Sequence, residues 1–161
     1  MISAKIMLLG DIGVGKSSLA RRFVFDKFDA DYKTTIGVDV LTHDVALGPA
    51  CRDETLRFVL WDTDGDFGAR IFETVYLLGA SGALVVADAT RPGTLAKMAV
   101  LAERFEERFP GRPVAKIVNK IDLAPSPAPM LADVTCTSAK TGEGVEAMFR
   151  RLAAEIWRRA C

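Results

Sequence analysis

Short runs of apolar residues alternate along the chain with segments in which apolar residues recur at steps of three and four. Three of these runs, residues 4–10, 81–88 and 114–119, are almost entirely apolar, which is typical of strands buried on both faces. Residues 16–26, which follow the first run, have the spacing of a helix. This alternation predicts an α/β fold built from parallel βαβ units, with helices covering the sheet.

Two further strands are predicted at residues 37–47 and 55–62. Only the turn GPACRDE separates them, so we expect an antiparallel hairpin.

Two later segments carry an apolar stripe at helical spacing. The first stripe consists of Leu95, Met98, Leu101, Ala102, Phe105 and Phe109. The second consists of Val145, Met148, Phe149, Leu152 and Ile156. We expect both stripes to pack against the sheet as core rather than to form a groove for a partner.

The composition suits one compact domain over residues 1–161. Half of the residues are apolar and 26% are charged, which allows a sizeable core beneath a soluble surface. The 21 basic and 21 acidic residues cancel, so there is no overall field that favours nucleic acid or an anionic membrane. Any phosphate must therefore be bound by a local site.

The cysteines Cys51, Cys136 and Cys161 lack the spacing of a zinc site or a disulfide scaffold, which favours a reducing compartment. The start MISAKIMLLG leads directly into a glycine motif and does not resemble a signal peptide. No apolar segment reaches membrane-spanning length. We therefore expect a cytoplasmic protein.

The segment GDIGVGKSS, residues 10–18, matches the pattern G-x-x-x-x-G-K-[ST] between a predicted strand and a predicted helix. Glycines allow successive backbone N–H groups to point at phosphate oxygens, and the following helix adds the positive end of its dipole. Lys16 would neutralise the outer phosphates and the Ser17 hydroxyl would bind Mg²⁺. A glycine-rich turn with an exposed lysine is the alternative, which the strand-loop-helix context disfavours.

A second motif, WDTDG, ends the strand predicted at residues 55–62. Asp62 could reach a Mg²⁺ held by Ser17, most often through water. Alone, an Asp at the end of a strand usually forms a turn, but the phosphate loop favours the metal role. Gly65 could present a bare N–H to a terminal phosphate, or it could simply supply turn geometry.

NKID, residues 119–122, and TSAK, residues 137–140, each follow a predicted strand. Asp122 can accept hydrogen bonds from the N1–H and exocyclic amine of guanine, whereas adenine offers no matching donors there. Asn119 would brace the loop, and the stem of Lys120 would cover the ring. The Ala139 amide could donate to guanine O6. Each pattern is weak in isolation, but the ordered set is specific.

Together these motifs resemble the Ras superfamily of small GTPases. GDIGVGKSS, Thr35 in YKTTIGVD, WDTxG, NKID and TSAK occur in the order typical of that superfamily, and TTIGVD with WDTxG is most similar to the Rab branch. The resemblance covers almost the whole chain. It implies a P-loop NTPase fold with a six-stranded, mostly parallel sheet flanked by helices, which binds GDP or GTP with Mg²⁺.

The resemblance also implies a switch in which Thr35 and Gly65 contact the γ-phosphate and Mg²⁺ and let go after hydrolysis. Phe28 matches an aromatic residue that packs against guanine, although a core phenylalanine at a helix end is an alternative. Tyr32 matches a tyrosine that closes over the phosphates.

The expected site has three sets of residues. Expected nucleotide contacts are Asp11, Gly13, Val14, Gly15, Lys16, Ser17, Ser18, Phe28, Tyr32, Thr35, Gly65, Asn119, Lys120, Asp122, Ser138, Ala139 and Lys140. Expected Mg²⁺ ligands are Ser17, Thr35 and Asp62. Residues expected to act in hydrolysis are Lys16, Thr35, Gly65 and Asp66.

The chain departs from the family at Asp66, where the motif D-T-A-G-Q has a glutamine that orients the attacking water. An ionised aspartate is shorter, cannot donate a hydrogen bond and adds negative charge beside an anionic phosphate. We expect slow intrinsic hydrolysis. Alternatively, Asp66 acts as a general base with a raised pKa, a partner supplies the missing groups, or the side chain points into solvent.

The helix pattern after Asp66 contains Phe67, Ile71, Phe72, Val75 and Tyr76, which we expect to form an apolar switch surface. Residues 32–40 and 65–77 are the expected contact regions for effector and regulatory proteins.

The connection LAPSPAPMLAD, residues 123–133, lies where the family usually has a helix, but it contains Pro125, Pro127 and Pro129. We expect the helix between NKID and TSAK to be absent or reduced. The thin cover at that end of the sheet would permit self-association.

The last residue, Cys161, fits neither a C-a-a-X box nor a cysteine pair, and Ile2 stands where myristoylation needs glycine. We therefore expect no stable membrane anchor.

The favoured hypothesis is a Rab-like guanine-nucleotide switch that hydrolyses GTP slowly. A nucleotide-binding adaptor that does not hydrolyse GTP is the second hypothesis. A P-loop kinase for a small molecule is the third, and NKID counts against it.

Overall fold

The computed structural model of the chain describes residues 1–29, 37–63, 65–124 and 133–160, with only the backbone at residues 66, 68 and 69. Its strands are β1 (Ile2–Gly10), β2 (Val38–Ala46), β3 (Thr55–Thr63), β4 (Gly82–Asp88), β5 (Val114–Asn119) and β6 (Val134–Cys136). Its α-helices are α1 (Lys16–Phe25), α2 (Gly93–Arg108) and α3 (Val145–Ala160). The predicted strands and helices are confirmed, with ends shifted by a few residues, except for the helix pattern after Asp66.

The six strands form one sheet in the order β2-β3-β1-β4-β5-β6. All neighbouring pairs are parallel except β2 and β3, which form the predicted antiparallel hairpin. The predicted α/β fold with a six-stranded, mostly parallel sheet is therefore confirmed.

Alternate side chains of the central strands enter two separate cores, one on each face of the sheet. In β1, Ile6 and Leu8 belong to the core that α1 and α3 cover, whereas Met7 and Leu9 belong to the core beneath α2. Four of the six stripe residues around α2, and all five in α3, are buried. Both stripes are thus core, as the sequence predicts.

The parallel strands end at the same edge of the sheet, and their last residues are Gly10, Thr63, Asp88, Asn119 and Cys136. Asp88 pairs with Asn119 across β4 and β5, and Leu8 pairs with Asp62 across β1 and β3. Ligand sites of open α/β sheets lie at this edge, outside the carboxyl ends of the strands.

The helix pattern after Asp66 forms 3-10 helix at Gly65–Glu73 and Val75–Leu77, rather than α-helix. Gly65 and Gly68 lower the helix propensity of this segment. Ile71 is buried in the core beneath α2, so the prediction that it belongs to an exposed surface is wrong. Val75 and Leu78 are the large apolar side chains that this segment exposes.

The predicted crossover without a helix falls mainly on residues 125–132, outside the described residues, and stays a prediction. The 3-10 turn Ile121–Leu123 precedes that segment, and β6 follows it.

Candidate nucleotide site

The loop of residues 10–15 joins β1 to α1 and has the geometry of an anion cradle. Gly13 and Gly15 both have positive φ, of 74° and 102°. The first turn of α1 contains no acidic residue and Gly15 provides no side-chain cap, so the N–H groups there can serve an anion.

Gly15 has no room for a larger residue. A Cβ at this position would lie 2.3 Å from Nδ2 of Asn119, and its φ of 102° is one that other residues rarely adopt. The phosphate loop therefore packs directly on the first residue of NKID.

The side chain of Lys16 is buried and folds back over the loop. Its Nζ donates hydrogen bonds to the carbonyl oxygens of Gly10, at 3.0 Å, and Asp11, at 2.9 Å. These contacts place an ammonium group beside the N–H groups of the loop, where a phosphate would meet both.

Ser17 and Asp62 meet at the ends of α1 and β3. The Ser17 hydroxyl donates a hydrogen bond to Oδ2 of the buried Asp62. Thr63 fixes this end of β3, because its hydroxyl donates to the carbonyl of Leu8 at 2.6 Å. A hydroxyl and a carboxylate side by side are oxygen ligands of the kind that Mg²⁺ prefers.

Over the described ranges, no group of three or more His, Cys, Asp and Glu side chains could hold a metal. Where Mg²⁺ binds at Ser17 and Asp62, these two residues would provide part of its shell, with water and phosphate oxygens as the other members. Mg²⁺ commonly binds proteins in this way, because it keeps several waters and takes few protein ligands.

A cavity of about 380 Å³ opens between the phosphate loop and the NKID and TSAK loops. Its lining consists of Gly13, Gly15, Ser18, Phe28, Asp29, Asn119, Lys120, Asp122, Leu123, Ala139 and Lys140. Nine residues of that lining are predicted nucleotide contacts. The other two, Asp29 and Leu123, are additions that no motif indicated.

Asn119 connects three loops at the base of this cavity. Its Nδ2 donates to the Val14 carbonyl at 3.1 Å, and its Oδ1 accepts from the Thr137 hydroxyl and the Ala139 amide, each at 3.1 Å. The predicted bracing by Asn119 has a structural basis here. The Ala139 amide would have to share or exchange this bond to donate to guanine O6.

Asp122 lies at the cavity with one oxygen already oriented. The Ser138 hydroxyl donates to its Oδ1 at 2.7 Å, which leaves Ser138 as a support for the carboxylate. Phe28 is 38% exposed at the same cavity, so it is not a core phenylalanine.

Gly65 lies against the phosphate loop. A Cβ there would come within 2.4 Å of the backbone N and Cα of Ile12, so only glycine fits this approach. Tyr32 and Thr35 lie outside the described residues, as does the side chain of Asp66. Their predicted roles stay predictions.

Sequence reasoning missed Asp88, the buried last residue of β4. Its position at the end of a strand is the same signal that indicated Asp62. Lys120, predicted to cover the base, pairs with Asp88 at 3.0 Å. Across the described part of the chain, no helix is long and apolar enough to cross a membrane.

Comparison with known proteins agrees with the motifs. The family model described as "Roc: Ras of Complex, Roc, domain of DAPkinase" matches residues 5–122. Human "Ras-related protein Rab-31" is 32% identical over 164 residues, which cover 94% of this chain and 82% of that protein. "GTP-binding protein ypt5" of Schizosaccharomyces pombe is 34% identical over 168 residues, which cover 96% of this chain and 78% of that protein. "Ras-related protein RABF2b" of Arabidopsis thaliana is 31% identical over 167 residues, which cover 96% of this chain and 82% of that protein. The chain therefore belongs to the Ras superfamily of small GTPases, with relatives in the Rab branch.

Proposed function

We propose that residues 1–161 form one guanine-nucleotide-binding domain, a switch that binds GDP or GTP with Mg²⁺ and hydrolyses GTP slowly. The observation that carries this proposal is a single cavity lined both by the phosphate loop and by Asp122. A nucleotide has a phosphate end and a base end, and the two sides of this cavity match them. Membership of the Ras superfamily supports the same function.

Base selection would depend on Asp122. The N1–H and exocyclic amine of guanine can both donate to its carboxylate, which Ser138 orients at 2.7 Å. Adenine has an acceptor at N1 and no amine at C2, so its binding would leave the carboxylate without partners. Such a mismatch discriminates by about 10⁴-fold or more in sites built to hydrogen-bond their substrate.

The phosphates would lie on residues 10–15, beside the Lys16 ammonium group and the N-terminus of α1. Ser17 and Asp62 would hold Mg²⁺, with Thr35 as a further proposed ligand. When bound, Mg²⁺ would neutralise charge on the outer phosphate oxygens. Gly65 would sense the terminal phosphate through its contact with the loop at Ile12.

Slow hydrolysis is proposed because Asp66 stands where the superfamily has its water-orienting glutamine. We expect Asp66→Gln to raise the single-turnover rate of GTP hydrolysis by about tenfold or more, since the amide can both donate to and accept from water. The rate is measured by quenching a single-turnover reaction of γ-³²P-labelled GTP at successive times and separating the released phosphate by chromatography.

Two further variants separate the effect of the negative charge at residue 66 from the effect of a missing water-orienting group. Asp66→Asn removes the charge without adding reach, and Asp66→Ala removes both functional groups. We expect small effects from each, because neither can orient the water. Brisk hydrolysis by the wild type that both Asp66→Gln and Asp66→Ala abolish would instead identify Asp66 as a catalytic base.

The alternative adaptor function predicts tight GTP binding with no turnover in either the wild type or Asp66→Gln. Partner binding would then be the whole output. Exposed Val40 and Val75 lie within residues 32–40 and 65–77, the regions proposed to contact effectors and regulators.

A further inference from the structure

The carboxylate of Asp88 lies at the edge of the nucleotide site and is almost completely buried, with 2% of its side chain exposed. Oδ1 accepts from the amide of Thr90 at 2.8 Å and from its hydroxyl at 2.7 Å. Oδ2 is shared by two cations, Arg91 Nε at 3.1 Å and Lys120 Nζ at 3.0 Å. The carboxylate thus joins residues from two different loops.

Asp88 is held in its ionised form. Burial alone would raise the pKa of its carboxyl group, but the hydrogen bonds from Thr90, Lys120 and Arg91 outweigh burial and lower that pKa below its usual range. The buried carboxylate retains its charge and attracts both cations, although Arg91 is 42% and Lys120 is 33% exposed, so solvent screens these pairs in part.

Arg91 extends the contact to the phosphate loop. While Nε donates to Asp88, Nη2 of the same guanidinium group donates to the carbonyl of Ile12 at 2.6 Å. The planar guanidinium fork allows one side chain to hold two acceptors in a fixed geometry, which a lysine cannot reproduce. Ile12 lies in the middle of the phosphate loop.

Lys120 extends the contact to the base side of the cavity. It follows Asn119 in NKID, has a positive φ of 67° and lines the cavity. Its ammonium group binds Asp88 while its stem remains at the cavity wall. A continuous chain of charged contacts therefore runs from the base loop through Asp88 and Arg91 to the phosphate loop.

We propose that Asp88, Arg91 and Lys120, the Asp88 cluster, couple the base loop to the phosphate loop and slow the release of bound guanine nucleotide. Release requires these loops to separate, and the cluster resists that separation. Arg91 is a positioning residue, since it acts through the carbonyl of Ile12. The proposal rests on the guanine-nucleotide binding proposed above.

The test is the dissociation rate of a fluorescent N-methylanthraniloyl GDP, chased by excess unlabelled GDP at constant Mg²⁺ in a stopped-flow instrument. We expect Arg91→Ala to raise this rate about tenfold, with an association rate within about twofold of the wild type. Arg91→Lys should restore only part of the difference, since one ammonium group cannot hold both acceptors.

Arg57→Ala is the matched control. Arg57, like Arg91, pairs with an aspartate, but it lies on the hairpin of β2 and β3 and donates two hydrogen bonds to Asp44, at 2.7 and 2.9 Å. We expect its nucleotide release to equal that of the wild type. Arg91 is 42% exposed, so its replacement should leave the core folded. Arg91→Gln, which keeps much of the stem, is the second variant.

A double-mutant cycle tests the coupling itself. Lys120→Met removes the ammonium group but keeps an apolar stem over the base. Both cations act through Oδ2 of Asp88, so losing either one should break the same connection. We therefore expect the fold-increase in dissociation rate of the double variant to be at least threefold smaller than the product of the fold-increases of the two single variants. Multiplicative effects would overturn the coupling.

The outcomes separate the two proposals. Failure of the wild type to bind the fluorescent GDP would overturn guanine-nucleotide binding and the cluster's role together. Normal wild-type binding with unchanged release in both Arg91→Ala and Arg91→Gln would overturn the role of the cluster alone.

Discussion

Replacing Asp122 by asparagine should move the preference of the site from guanine to xanthine nucleotides. Xanthine keeps the N1–H donor of guanine but has a carbonyl oxygen in place of the exocyclic amine. The asparagine amide offers one acceptor and one donor, which match that pair. We expect GDP affinity to fall by about 10³-fold or more and xanthosine diphosphate to become the tighter ligand.

The Ser138 hydroxyl, which donates to Oδ1 of Asp122 at 2.7 Å, can donate equally to the asparagine carbonyl, so the loop should keep its shape. Competition titration against a fluorescent nucleotide measures both affinities. Asp53→Asn, at an exposed turn with a φ of 55° that asparagine tolerates, is a matched control with no expected effect. Unchanged GDP preference in Asp122→Asn would exclude the proposed role of Asp122.

Replacing Gly15 by alanine should abolish nucleotide binding and destabilise the protein. The new Cβ would lie 2.3 Å from Nδ2 of Asn119, whose side chain is buried and held by contacts to Val14, Thr137 and Ala139. Asn119 could move only by losing those hydrogen bonds. The lost hydrogen bonds and the backbone strain of an alanine at φ 102° should together lower the free energy of unfolding by about 2–4 kcal/mol.

Chemical denaturation measures that loss, and GDP titration measures the accompanying fall in affinity, which should exceed about 100-fold. Gly93→Ala is the matched control. Gly93 begins α2, and a Cβ there would meet no atom within 4 Å. The control should bind GDP normally and be equally stable or slightly more stable. Normal GDP binding by Gly15→Ala would contradict the role assigned to the phosphate loop.

Much of this site could be predicted from sequence because its parts are short, contiguous motifs at strand ends. Lys16 and Ser17 follow a strand directly, and parallel strands bring Asp62 to the same edge. The helical periodicity of the two stripes correctly predicted that residues such as Phe105 and Phe149 are buried.

The remaining features depend on pairings that no local pattern encodes. Asp88 meets Lys120 because β4 and β5 pair in a register that aligns Asp88 with Asn119. Arg91 reaches Ile12 only once its loop has folded over the end of β1. The sequence pattern predicted that Ile71 belongs to an exposed apolar surface. In the structure its segment is 3-10 helix, and the Ile71 side chain packs in the core beneath α2.

The central claim is that the cavity beside Asp122 holds a guanine nucleotide. The most direct measurement is an equilibrium titration of purified, nucleotide-free protein with fluorescent GDP and fluorescent ADP, each with Mg²⁺ and with a chelator. We expect GDP to bind about 10⁴-fold or more tightly than ADP, and Mg²⁺ to strengthen GDP binding. Equal affinity for the two nucleotides would contradict the account.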